Sequence, residues 1–334
     1  NGSLTKLIQT DNVVGVTTNP NIFAAAIGNS QLYQGDIKQN KDKSTEEIIT
    51  KLTTDDVRSA CDLFSEIFKS TNGVDGRVSI EVDPRFARDT AATIGQGKQL
   101  WQIIDRPNLL IKVPATIEGL PAITDLISSG ISVNVTLIFS VNRYKEVLAA
   151  YAAGLEKGLS NGASIRNIHS VASFFISRID SEVDKQLPID SELRGMTAIA
   201  NAVMAYEACL AFEKTPRWQS LKEKGGNLQR PLWASTGVKD QAYDPTRYVM
   251  LLVAKNTVNT MPEATLNIVR DSGIFSGDTI TPNIKSAKAT LAKLAMAGID
   301  LDKVTKHLEI DGVAKFEAAW LDLMNSVKTV AIGS

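Results

Sequence analysis

Cysteine is nearly absent from this chain: Cys61 and Cys209 are its only two in 334 residues. Each lies in a stretch that reads as helix and neither has CxxC spacing, which argues against a disulfide framework or a zinc site. Histidine is equally scarce, with His169 and His307 far apart and no acidic ligands at metal-binding spacing around them. A metal-dependent enzyme gathers several His, Asp or Glu ligands, so any chemistry here is expected to rely on an organic nucleophile, with no metal. No charge of one sign dominates, since 36 basic residues balance 37 acidic ones without a long block of either. The electrostatic footprint of nucleic-acid or membrane-surface binding is therefore missing. No apolar run approaches the roughly 18 residues of a membrane span, and no signal-peptide pattern opens the chain. A cytoplasmic protein that touches neither nucleic acid nor membrane is expected.

What is present is an ordinary globular composition, 43% hydrophobic and 22% charged, large enough for one big α/β domain or two smaller ones. Periodicity predicts a short helix over 3–9 with Ser3 as its cap, then a strand over 13–18 that ends at Asn19-Pro20, where proline forces the preceding residue out of helical geometry. A polar helical region covers about 32–72. Strands follow at 78–82, 108–113, 132–139, 168–175 and 231–235, with a weak one at 255–259. Helices fall between them at 85–104, 119–128, 141–159 and 194–214, and another begins after Pro245. Thr281-Pro282 reads as a cap and first-turn proline, opening two helices that run to about Lys328. The cluster Gly95-Gln96-Gly97-Lys98 is not a phosphate loop, because Gln99 stands where Ser or Thr is needed and no strand precedes it; it reads as helix surface. Asn134-Val135-Thr136 fits a glycosylation sequon but lies in a strand interior.

Alternating strands and helices imply parallel βαβ units. An eight-stranded α/β barrel is the expected class, in a single domain over residues 1–334 with C-terminal helices from about 281. Only seven strands are visible, so the first is expected ahead of Asn1.

The strands carry polar residues where parallel sheets are usually continuously apolar. In VSIEVD, Ser79, Glu81 and Asp83 share one face; in SVNVTLIFS, Ser132, Asn134 and Thr136 do. Asn19, Ser173 and Ser235 stand near the ends of their strands. Each alone reads equally well as a satisfied core group, but together they mark the carboxyl ends of the strands, where barrel enzymes build their sites. Lys112 lies within the apolar run NLLIKVP. Taken alone it reads either as a lysine that snorkels to water or as a desolvated amine able to form a Schiff base. With Glu81 on the neighbouring strand facing the same interior, it forms an amine and carboxylate pair.

The stretches GVTTNPNIF, VSIEVDPR, LLIKVPATIEG, VNVTLIFS and ASFFISRID together resemble the transaldolase family, over about 4–327 and in the expected order. That resemblance implies a cofactor-independent class I aldolase of the pentose phosphate pathway, which moves a dihydroxyacetone unit between sugar phosphates. By the same resemblance Lys112 is the Schiff-base lysine, Glu81 the carboxylate that activates water, and Thr136 a residue holding that water. Asn19 and Asn134 bind donor hydroxyls, Ser173 and Phe175 line the site, Arg178 and Ser235 bind phosphate, and Lys239 is a second basic group there. The stripe Phe316, Trp320, Leu323 and Val327 reads as packing, while the resemblance brings a C-terminal segment near the site mouth.

In one respect the sequence departs from the family, which carries a catalytic aspartate on its first strand. Asp11 and Asp83 cannot take that role from their positions, and the residue is expected upstream of Asn1. Related fructose-6-phosphate aldolases are shorter and carry glutamine where Glu81 stands, so length and Glu81 favour transfer over cleavage. The remaining alternative is a non-catalytic sugar-phosphate binding barrel, and a monomer or homodimer is expected.

Overall fold

The computed structural model describes residues 2–28 and 31–332. Its seven strands are β1 (Gly15–Thr17), β2 (Arg77–Glu81), β3 (Leu109–Pro114), β4 (Val133–Ile138), β5 (Ser170–Phe175), β6 (Arg230–Ala234) and β7 (Val258–Asn259), and their order in the sheet is that of the chain. Parallel strands in chain order with helical crossovers are the connectivity of an α/β barrel. Two compact units are distinguishable, Asn1–Asn134 with Gly312–Ser334, and Val135–Asp311.

In the first unit β1, β2 and β3 run parallel, with Gly15 opposite Arg77 and Glu81 opposite Lys112. Every residue of β2 and β3 is buried, which explains the apolar residues on their second face. Helix Thr45–Leu63 packs on β2. It opens with a capping box, in which the Glu47 N–H donates to Ser44 Oγ at 3.2 Å and the Ser44 N–H to Glu47 Oε2 at 2.8 Å; each bond satisfies an amide that the first turn leaves orphaned. Helix Thr90–Ile104 starts where Asp89 accepts from the Ala92 N–H at 2.9 Å and packs on β3 and helix Gly119–Ser128. Gly97 within it is buried rather than surface: a Cβ there would meet the Leu126 side chain at 3.0 Å, so glycine sets how closely the two helices approach.

In the second unit β5, β6 and β7 run parallel, Phe175 pairing with Ala234 and Trp233 with Asn259. Helix Val141–Ser160, capped by Ser140 accepting from the Arg143 N–H at 3.0 Å, buries Tyr144, Val147, Leu148 and Tyr151 and packs on β5. Helix Thr197–Glu213 lies against helices Val141–Ser160 and Ile284–Met296. At its start Asp180, itself buried, accepts from the Ala198 N–H and the Tyr248 hydroxyl, both at 2.7 Å.

Several elements differ from the sequence expectation. Ser3 lies inside helix Ser3–Thr10, which Gly2 precedes without a side-chain cap. At Thr281 the side-chain acceptor is Asp278, whose Oδ1 receives the N–H groups of Ile280 and Thr281 at 2.9 Å each. Helix Arg247–Met250 is a single turn. Helices Pro20–Gly28, Ser177–Val183, Pro216–Glu223 and Glu263–Ser272 are additional. All four hold ten residues or fewer, a length at which periodicity alone separates helix from loop poorly.

Candidate active site

Lys112 is 4% exposed and sits in the middle of β3. Its ammonium donates to Glu81 Oε2 at 2.9 Å and to the backbone carbonyl of Thr18 at 3.1 Å. The parallel register brings the two side chains together, since Glu81 and Lys112 are direct partners across β2 and β3. Burial in low dielectric disfavours a charged carboxyl, and it pushes Glu81 above its ordinary value while the lysine charge pulls it down. Glu81 Oε1 has no hydrogen-bond partner among the described residues. The ring of Phe316, on helix Leu301–Ile332, lies 5.6 Å from the Lys112 ammonium, within reach of a cation–π contact.

Around this pair the first unit holds two of the predicted amides. Asn134, fully buried, donates from Nδ2 to Ser79 Oγ at 3.0 Å. Asn19 Oδ1 accepts from the Ile22 N–H at 2.9 Å. That bond fixes the amide orientation and leaves its NH2 end to face other partners. Asp83, on the same face as Glu81 by alternation, is committed elsewhere: it takes the Arg85 guanidinium through both oxygens, with Nη2 to Oδ2 at 2.6 Å, and the Arg85 backbone N–H at 2.9 Å. The loop after β3 is fixed by close approach. Thr116 Oγ1 accepts from the Gly119 N–H at 2.9 Å, and a Cβ on Gly119 would stand 2.1 Å from the Pro114 carbonyl oxygen. Only glycine fits there.

The second unit gathers the remaining predicted residues. Thr136 on β4 is fully buried, and its Oγ1 has no partner among the described residues. Ser173 and Phe175 lie buried on β5, Phe175 with its ring centroid 5.1 Å from that of Phe139. Arg178 projects from helix Ser177–Val183, its guanidinium 5.5 Å from the Phe175 ring. Burial lowers the Arg178 pKa, with the Asp311 charge acting the other way, and its Nη1 is buried without a hydrogen-bond partner among the described residues. A guanidinium edge left unsatisfied in this way is suited to a planar or tetrahedral oxyanion.

Ser235 follows β6 in the left-handed region, at φ 56°. Its hydroxyl lies 3.1 Å from that of Ser177, and its carbonyl accepts from the Ser177 N–H at 3.0 Å. Two hydroxyls thus stand at the start of the helix that carries Arg178. Lys239 is exposed, and it lines a separate hollow of about 750 Å³ with Asp180, Asp184, Arg194 and Tyr243. The contacts given by Thr18, Ser79, Ser177 and Phe316 were not anticipated as parts of the site. Ser79 alone carried a signal, as a polar residue on the Glu81 face.

Among the described residues no group of three or more His, Cys, Asp or Glu side chains is placed to hold a metal ion. No helix among them is long and apolar enough to cross a membrane. What the residues offer is a buried amine with a carboxylate partner, one buried and one half-buried amide, buried hydroxyls, and a guanidinium on the helix at whose start two serine hydroxyls stand.

Comparison with known proteins gives one consistent result. The sequence model described as transaldolase/fructose-6-phosphate aldolase matches residues 1–327. Over 335 residues the chain is 52% identical to transaldolase 1 of Streptomyces avermitilis, covering 98% of this chain and 89% of that one. It is also 52% identical to the transaldolase of Mycobacterium bovis over 335 residues, and to that of Mycolicibacterium smegmatis over 334, with 98% of this chain and 90% of the relative covered in both cases.

Proposed function

The chain belongs to the transaldolase/fructose-6-phosphate aldolase family, and we propose that it is a transaldolase acting through a Schiff base on Lys112. The reaction carries a dihydroxyacetone unit from a ketose phosphate, sedoheptulose 7-phosphate or fructose 6-phosphate, to an aldose phosphate, glyceraldehyde 3-phosphate or erythrose 4-phosphate. Its place is the pentose phosphate pathway of the cytoplasm, in a monomeric or homodimeric enzyme that needs neither metal nor cofactor.

The neutral Lys112 amine attacks the donor's ketone carbon, and a carbinolamine forms. Glu81, 2.9 Å from the amine, passes a proton through a bound water to the carbinolamine hydroxyl, which leaves as a water molecule while the nitrogen lone pair closes the Schiff base. Thr136 holds the bound water. Asn19 and Asn134 orient the donor's hydroxyls, with Ser173 and Phe175 lining the sugar chain. Arg178 and Ser235 take the phosphate, Lys239 adding a further positive charge. Loss of the proton on the fourth-carbon hydroxyl breaks the bond between the third and fourth carbons, whose electron pair passes into the protonated imine; an aldose phosphate leaves, and the three-carbon enamine stays on Lys112 until it adds to the acceptor aldehyde, whose oxygen takes up a proton. Hydrolysis then runs the first steps backward through the same carboxylate and water.

The observation that carries this reading is the buried Glu81 and Lys112 pair in direct register. Neither charge is stable there alone, because taking an ion out of water costs several kcal/mol; a pair poised for proton exchange gives both a use. The test is turnover of the purified protein on fructose 6-phosphate, with and without erythrose 4-phosphate. Sedoheptulose 7-phosphate should form only with acceptor present. Release of free dihydroxyacetone without acceptor, as fast as transfer, would make the protein a lyase, and binding without turnover would make it a sugar-phosphate receptor.

A further inference from the structure

Behind the site lies a cavity of about 20 Å³, lined by Asn19, Thr50, Thr53, Glu81, Gln96 and Trp320 together with apolar side chains. A space of roughly 10–15 Å³ by this measure admits one water, provided that it finds two or more polar partners. Two such partners are orphaned here. Glu81 Oε1 and Trp320 Nε1 are both buried without a hydrogen-bond partner among the described residues, their residues being 7% and 8% exposed. Two other polar atoms of lining residues are already committed: the Thr53 hydroxyl donates to the Ile49 carbonyl at 2.8 Å, and Gln96 Oε1 accepts from the Asp83 N–H at 2.6 Å. The cavity shares Thr50, Gln96 and Trp320 with a surface groove of about 660 Å³, so solvent lies on the far side of these shared residues.

We propose that this cavity is a water site in which one ordered water accepts from the Trp320 indole N–H and donates to Glu81 Oε1, making Trp320 a positioning residue for Glu81. The proposal rests on the catalytic reading of Glu81. Its water is distinct from the reacting water of that mechanism, since Lys112 does not line the cavity. With Oε2 held by Lys112 and Oε1 by the water, the carboxylate is fixed at both oxygens. Lys112 is the charged group facing Glu81, whereas the polar cavity residues contributed by the other elements, Asn19, Thr50, Thr53, Gln96 and Trp320, are neutral. The nearest further charges on its own strand's continuation, Asp83 and Arg85, pair with each other at 2.6 Å.

A hydrogen bond donated to a carboxylate favours its charged form. Trp320→Phe keeps an aromatic side chain, though a smaller one, and removes the N–H, so the water loses its anchor and the Glu81 carboxyl should move up. The acid limb of kcat/KM for transfer is expected to shift to higher pH by about half to one unit, the equivalent of one hydrogen bond. A uniform loss of rate across pH, or no change, would reduce Trp320 to packing and overturn the proposal. A crystal structure of the unsubstituted protein decides independently of how the variant folds. Density for a water within hydrogen-bond distance of both atoms supports the site, and an empty cavity refutes it. Borohydride trapping of a donor on the unsubstituted protein keeps the two claims apart: failure to trap strikes at the catalytic reading, whereas normal trapping with an unmoved acid limb strikes at the water site alone.

Discussion

Glu81 and Lys112 stand directly opposite each other on β2 and β3, joined by a 2.9 Å ion pair in which both side chains are almost wholly buried. Neither strand carries another charged residue at that level, so each is the other's compensation. Removing one leaves the other's charge stranded in low dielectric.

Burial holds the Glu81 carboxyl above its ordinary value. Acting as a base it must be ionised, so the rate should fall as pH drops through that raised pKa, at a higher pH than an exposed glutamate would impose. Glu81→Gln removes the ionisation. Steady-state kinetics should show kcat lower by about 10²–10⁴-fold, the usual worth of a general acid–base group, and the Glu81-dependent acid limb should vanish. An unchanged acid limb would assign the titration to another group.

Thr136 offers a separation of function from stability. Its Oγ1 is fully buried with no partner among the described residues, so Thr136→Val replaces an unsatisfied hydroxyl with a methyl of the same shape. Such a change is expected to be neutral or stabilising toward urea. Transfer should nonetheless slow by about 10–100-fold if the hydroxyl holds the reacting water, as one lost hydrogen bond to a charged or reacting group would give. A destabilised variant with full activity would mean that the hydroxyl serves the fold.

Arg178 presents a buried guanidinium edge and projects from the helix at whose start the Ser177 and Ser235 hydroxyls stand 3.1 Å apart. Arg178→Lys keeps the charge and loses the planar fork. For phosphorylated donors kcat/KM should drop by about 10–100-fold, expressed mainly as a higher KM, while cleavage of an unphosphorylated ketose is nearly unaffected. Equal losses on both kinds of donor would remove Arg178 from the phosphate contact.

The alternation of polar residues on the strands was enough to place Glu81 and Lys112 in one interior, because side-chain direction in a strand follows from parity alone. Parity also grouped Asp83 with them. It could not show that Arg85, two residues on, folds back and occupies that carboxylate. The stripe Phe316, Trp320, Leu323 and Val327 reads as packing, and all four are indeed buried. Phe316 nevertheless also lies over Lys112, a contact between residues some two hundred positions apart that no local pattern encodes. The helix that carries Arg178 has seven residues, fewer than two full turns of apolar period, and so left no signal of its own. Glycine at 97 looked like surface because its packing role depends on Leu126 in the next helix. For Asp83, Phe316 and Gly97 what the sequence hid was a tertiary partner; for the Arg178 helix it was the shortness of the element.

The most direct measurement is chemical trapping. Incubation with fructose 6-phosphate followed by borohydride reduction, digestion and mass spectrometry should find a reduced three-carbon or six-carbon adduct on the peptide containing Lys112, and none in Lys112→Met. An adduct on a different lysine, or no adduct in a protein that turns over the same donor, would contradict the account.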